Sequence, residues 1–289
     1  MALAFSLYMK RVTAGMPDVP LPKGHVLLIG PTGVGKTLLS ELLVEKAELP
    51  KASTSTTDKS GPGYVGESLA SVFVTLATQV KEEAPFGVVF IDEIDKVVGT
   101  EYELFGKKMQ DQLIGWLGGT FVQPEQHPAK QDAQRLHTRN LLFITAGAFE
   151  GQNQNGLAKI IARRLGLSAS SIAGFGREGA RSIKNERLLH AVTPTDLIAY
   201  GLMPELVRRL PHIGILDSLT VPDKVTILKE KENSVIKQYQ NLFALEGYTL
   251  ALDEPVYELI AKQSPPDIGA SGLETACQQL FQEIIFNTT

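Results

Sequence analysis

The chain has 289 residues and a mass of 31.4 kDa, with 43% hydrophobic and 21% charged residues, 26 glycines and 16 prolines. That is room for one large domain and a small one, and the composition of a folded globular protein excludes a disordered or collagen-like chain. A net charge of −4 and a pI near 5.8 supply no overall basic field, which argues against nucleic acid as the partner, and the single Cys277 excludes an intramolecular disulfide or a multi-cysteine zinc site and points to a cytoplasmic setting.

No apolar stretch approaches the roughly 20 residues of a bilayer-spanning helix, so no membrane is expected. Residues 1–9 are apolar, but Lys10 and Arg11 follow the run where a signal peptide carries its charges before it, so the segment reads as a helix. VLLIG from Val26 predicts a strand, GPTGVGKT at 30–37 a glycine loop, and LLSELLVEKAEL a helix that turns Leu38, Leu39, Leu42 and Leu43 onto a sheet. A second helix is expected from Glu67, with Leu69, Val72, Phe73, Leu76 and Val80 at helical spacing. GVVFID at 87–92 and LLFITAG at 141–147 read as strands buried on both faces. Strands alternating with helices predict an α/β layer around a mostly parallel sheet. Residues 151–185 loosen into Gly, Ser, Ala and Arg and are expected to form an exposed contact loop. After RRLP at 208–211 one long amphipathic helix is expected, with Thr220 as N-cap, Pro222 in its first turn and Gly247 at its end. A short strand YTLAL, a helix from Pro255 to Lys262 and a last helix to Phe286 follow. The boundary falls near 211–214, giving a large domain over 1–212 and a small one over 213–289.

GPTGVGKT matches the phosphate-binding pattern G-x-x-x-x-G-K-S/T between a strand and a helix. Gly30, Pro31, Thr32, Gly33, Val34 and Gly35 would form the loop around the phosphates, Gly30, Gly33 and Gly35 letting it fold tightly enough for several backbone N–H groups to converge on them, and Lys36 would supply a cation to the β and γ phosphates. Thr37 would offer a hydroxyl to magnesium. VVFIDEIDK puts Asp92 and Glu93 at the carboxyl end of a strand, where α/β sheets present ligands. Asp92 is expected to hold magnesium through its hydration shell, and Glu93 to deprotonate the water attacking the γ phosphate. Asp95 and Lys96 read as structural charges. Thr145, ending the LLFIT strand, is a candidate to position the γ phosphate beside Glu93. ATP and Mg2+ are the implied cofactors.

With these elements in this order the chain resembles the AAA+ ATPases and, within them, the ClpX-type Clp/Hsp100 unfoldases. The similarity runs over nearly the whole chain: LLIGPTGVGKTLL, GYVGES, VVFIDEIDK, LLFITAGAF, TPTDLIAYGLMPELVRRLP and ILKEKENSVIKQYQNLFALEG all correspond. The resemblance implies a P-loop parallel sheet flanked by helices, followed by a smaller, mostly α-helical domain. It implies a homo-oligomer, a six-subunit ring that hydrolyses ATP between subunits and draws a polypeptide through a pore. Tyr64 and Val65 of GYVG would line the pore and grip that polypeptide, an aromatic paddle hinged between glycines. Arg209 would reach the neighbour's γ phosphate.

The chain also departs from that pattern. The family's amino-terminal zinc module needs four cysteines, so recognition through it is expected to be absent. The sequence opens at MALAFSLYMKR, after the family's adenine-contacting segment. GASGLET at 269–275 has Ser271 where the family carries a nucleotide-sensing arginine, and Glu274 at the next basic position. The docking tripeptide for a ClpP-like protease reads Ala173-Gly174-Phe175; alanine falls short of isoleucine by about three methylenes, about 2 kcal/mol per loop, which argues against that partner. The alternative class is a nucleotide-gated binding or scaffold protein.

Overall fold

The computed structural model describes residues 1–14, 24–57, 69–80, 85–98, 103–122, 135–151, 156–167, 185–231, 234–265 and 269–288. The pore-loop candidates Tyr64 and Val65 and the docking candidates Ala173, Gly174 and Phe175 lie outside these residues. The chain divides into two compact units, one of Met1–Ile29 with Lys36–Ile215, the other of Gly30–Gly35 with Leu216–Thr289.

The first unit is built on a five-stranded parallel sheet in the order β2-β3-β6-β1-β7, from β1 (Val26–Ile29), β2 (Lys51–Ser55), β3 (Gly87–Asp92), β6 (Leu141–Gly147) and β7 (His212–Ile215). A two-stranded antiparallel ribbon, β4 (Phe121–Val122) with β5 (Leu136–His137), stands apart from it. β1, β3 and β6 are the buried central strands, as their unbroken apolar runs demand. β2, KASTS, is a half-exposed edge strand with no apolar run to mark it in the sequence. The flanking helices are α1 (Ala2–Ala14), α2 (Lys36–Lys46), α3 (Val72–Gln79), α4 (Glu103–Gly118), α5 (Leu157–Arg164), α6 (Pro194–Tyr200) and α7 (Pro204–Arg209). Tyr8 fastens α1: its single hydroxyl proton is shared between the carbonyls of Gly87 and Asn140 at 2.8 and 2.9 Å, and its oxygen accepts from the Gly87 N–H at 2.7 Å. Buried His25 accepts from the Phe143 N–H through Nδ1, which leaves the proton on Nε2 to donate to Leu117 O at 3.0 Å and tie α4 to the sheet.

α2 is rotated from the expectation. Lys36, Ser40 and Val44 are its buried stripe, while Leu38, Leu39 and Leu42 are exposed. Lys36 is the first residue after the glycine loop, and its direction sets the phase of the helix. At 100° per residue the positions four and eight further on then face inward, and the leucines at two, three and six do not.

The second unit packs α8 (Val221–Glu230), α9 (Val235–Leu245), α10 (Glu254–Gln263) and α11 (Ser271–Thr288) around Leu228, Ile236, Phe243, Ile260, Cys277 and Phe281. The long helix expected from Thr220 to Gly247 is two helices. The second starts afresh at Ser234, whose side chain accepts from the Lys237 N–H as an N-cap. The first is capped as expected by Thr220, in a reciprocal box with Asp223. Tyr248 to Leu252 forms no strand; Leu250 and Leu252 pack against the helical core instead. No described helix is long and apolar enough to cross a membrane.

The fully buried Phe73 meets Trp116 edge to face at 4.8 Å. Phe73→Ala should therefore lower the unfolding free energy in urea by about 3–5 kcal/mol. Leu38→Ala on the exposed side of α2 should stay within about 0.5 kcal/mol of the parent. A large loss at Leu38 would contradict the helix phase.

Candidate active site

Parallel pairing aligns the carboxyl ends of the strands. Ile29, the last residue before the glycine loop, pairs with Gly147 at the end of β6, and Ile91 pairs with Thr145. Asp92 and Glu93 therefore emerge at the carboxyl edge of the sheet, where β1 also ends at Ile29. Within the loop Gly33 and Gly35 have φ of 77° and 93°, left-handed values that glycine adopts without a steric penalty and that turn successive N–H groups to one side. In the second unit, to which residues 30–35 are assigned, the Ala270 N–H donates to Gly33 O at 2.9 Å.

Lys36 is 7% exposed. Burial pulls its ammonium below the ordinary lysine value, and the negative charges of Asp92, Asp95, Glu150 and Glu93 oppose that pull. Thr37 Oγ1 donates to Asp92 Oδ2 at 3.2 Å, so a hydroxyl and a carboxylate stand side by side as oxygen ligands suited to a hydrated divalent cation. Among the described residues no group of three or more His, Cys, Asp or Glu forms a metal cluster. The other oxygen of Asp92 accepts from the Glu93 N–H at 2.8 Å.

Glu93 has φ 56° and ψ 34°, a left-handed backbone uncommon outside glycine. Two anchors hold it there: its carbonyl accepts from Thr56 Oγ1 at 2.6 Å and from the Lys96 N–H at 2.8 Å. Its carboxylate is held as well. Oε2 accepts from Ser55 Oγ at 2.7 Å and from Thr57 Oγ1. The hydrogen bonds from Thr57 and Ser55 stabilise the ionised form and hold the Glu93 carboxyl below the ordinary glutamate value. The pairing of Ser55 with Asp92 between β2 and β3 brings these hydroxyls within reach.

Residues 21–213 match the AAA domain family of the Cdc48 subfamily. Over 286 residues the chain is 37% identical to the ATP-dependent Clp protease ATP-binding subunit ClpX of Treponema denticola, covering 93% of this chain and 67% of that protein. The chain belongs to the ClpX-type AAA+ ATPases. As a member it binds nucleotide and hydrolyses ATP, and the parallel sheet with flanking helices and a helical C-terminal part is the AAA+ fold.

In this AAA+ chain Lys36, Thr37, Asp92 and Glu93 come together. Thr145 does not join them: it is fully buried, it pairs with Leu27 and Ile91 rather than with the strand ends, and its hydroxyl donates to Val26 O at 3.1 Å. Arg209 is exposed at the end of α7, its guanidinium packed so closely over Gly118 that a Cβ there would lie 2.9 Å from Nη1. Ser271 is exposed in the first turn of α11. Ser55, Thr56 and Thr57, which the motifs do not single out, join the site through Glu93, and the hydroxyl run STSTT is their visible signal in the sequence. A separate cleft of about 450 Å3 lies between α2 and the edge strand, lined by Ser40, Glu41, Val44, Ser53 and Phe90 among others. It shares Thr37 with the site but not Lys36, Asp92 or Glu93.

Replacing both hydroxyls, Ser55→Ala with Thr57→Val, removes the bonds that favour the Glu93 carboxylate, so its pKa rises toward the ordinary glutamate value. If Glu93 is the base, it is then protonated sooner as pH falls. The acid limb of the ATP turnover profile should move to higher pH, and an unmoved limb would dissociate these hydroxyls from Glu93.

Proposed function

We propose that this chain is a ClpX-like ATP-dependent protein unfoldase. Its large domain, 1–212, and lid domain, 213–289, would assemble with other copies into a hexameric ring that draws polypeptide through a central pore in the cytoplasm. The observation that carries this reading is Glu93, held in a left-handed backbone beside Asp92 and Thr37 at the sheet edge that also carries Lys36. An acid held against backbone preference in such a position fits a reacting group better than a surface charge.

In the proposed mechanism the backbone N–H groups of the glycine loop, those of Thr32, Gly33, Val34 and Gly35 among them, would wrap the phosphates of ATP. The Lys36 ammonium bridges the β and γ phosphates, and its burial strengthens that attraction. Magnesium, when bound, offsets charge developing on the phosphate oxygens; Thr37 and Asp92 would hold it, and their adjacent oxygens fit it. Glu93 orients the attacking water and takes its proton, which requires that its carboxylate leave Ser55 and Thr57. Arg209 would act in a neighbouring copy, consistent with its exposure at the end of α7. Tyr64 and Val65 would grip the substrate polypeptide. The Ala173-Gly174-Phe175 sequence argues against firm docking of a ClpP-like protease. Thr145, with its hydroxyl bound to Val26 O, is not given the phosphate-positioning role.

A second reading, a nucleotide-gated scaffold, is favoured by Ser271, where the family's sensing cation would stand. Phosphate release per protomer that rises with protein concentration, and a Glu93→Gln chain that still binds ATP but turns it over at least about 100-fold more slowly, are the expected results. Unfolding of a tagged substrate by the parent protein then decides for the unfoldase. Binding and assembly without unfolding decides for the scaffold.

A further inference from the structure

We propose that Asp95 is a positioning residue for ATP hydrolysis, its buried Oδ1 accepting a hydrogen bond from a water that aims the Lys36 ammonium at the phosphates. This rests on the ATPase reading of the site and adds a residue to it. Asp95 sits in the 3-10 turn Ile94–Val97 and is 3% exposed. Its Oδ2 lies 3.6 Å from Lys96 Nζ, a lysine half in solvent. Its Oδ1 is buried and has no hydrogen-bond partner among the described residues. A bare carboxylate oxygen inside a protein is costly, and such oxygens are ordinarily satisfied by a donor or a buried water.

The surroundings say what this oxygen serves. Oδ1 is pressed against the backbone of Gly147, so closely that a Cβ there would lie 2.6 Å from it and 2.8 Å from the Phe149 ring. Gly147 ends β6 and pairs with Ile29, the residue before the glycine loop. The polar atom at the end of β6 is therefore Asp95 Oδ1 rather than the Thr145 hydroxyl, which is spent inside the sheet. A carboxylate repels phosphate, so it has to act through a donor. The charged groups facing Lys36 are Asp92 and Glu93 at the end of β3, Asp95 from the turn after it, and Glu150 from the segment after β6. Tyr200 of α6 faces the same spot, its ring 5.1 Å from that of Phe149. Burial, with the charges of Asp95 and Glu150, pushes the Tyr200 hydroxyl up to about 12, so it stays protonated and can also donate to the water on Oδ1.

Asp95→Asn keeps the shape and removes the charge. We expect kcat for ATP to fall at least about tenfold while KM changes less than about twofold, the split of a residue that aims a reacting group rather than holds substrate. The melting temperature should hold, since Lys96, the ion-pair partner left behind, is half in solvent. Asp95→Glu should recover part of kcat. A lower melting temperature with kcat unchanged would mark Asp95 as structural and overturn the proposal, as would a wild-type kcat in Asp95→Asn. If the variant does not fold, a crystal structure of the parent protein decides: an ordered water on Oδ1 supports the role, and its absence overturns it. Turnover by the parent and its loss in Glu93→Gln test the ATPase reading separately. A parent protein without turnover overturns both.

Discussion

An ammonium buried at the carboxyl edge of a parallel sheet is the constraint around which the first unit is arranged. Lys36 cannot keep its charge at 7% exposure unless negative groups surround it, and they arrive from three segments: Asp92 and Glu93 at the end of β3, Asp95 in the turn that follows, and Glu150 beyond β6. The same lysine sets the phase of α2. Once its side chain is directed at the sheet edge, Ser40 and Val44 must face inward. Of the four leucines expected on its core face, Leu38, Leu39 and Leu42 are left in solvent and Leu43 is half-buried.

The edge strand contributes chemistry rather than core. β2 has little to bury, yet its register against β3 sets Ser55 opposite Asp92, and the next two residues reach Glu93 from the same side. Hydrogen bonds that stabilise an ionised carboxylate also lower its basicity. A base so restrained is ready as an anion but cannot accept a proton well until it is released. The restraint is thus a natural point of control over water attack.

Much of this was legible in the amino-acid order because phosphate chemistry leaves dense local signatures. The glycine loop, the apolar strands at 87–92 and 141–147 and the acids after the first of them are contiguous, and their periodicities are unambiguous. What was missed depends on tertiary contacts. β2 is polar, so no apolar run announces it, and the hydroxyls of residues 55–57 acquire meaning only from strand pairing. Thr145 stands two positions short of the strand end, a distance that only the register with β1 and β3 reveals. The break before Ser234 is hidden because charged and apolar residues alternate at helical spacing on both sides, and a serine reads as a neutral surface position until its side chain is seen to cap. Asp95 reads as a structural charge beside Lys96, and nothing local in the sequence shows that it is buried.

The backbone at residue 93 has a bearing on how this fold diverges. A left-handed conformation disfavours a side chain by about 1–2 kcal/mol relative to glycine, so the chain carries its glutamate there at the expense of its own conformational ease. Drift to glycine or asparagine at that site would relax the turn rather than damage it. Lineages released from selection for turnover can therefore shed the acid while keeping a sound, well-folded protein, and silent relatives of this kind should accumulate more readily than unfolded ones.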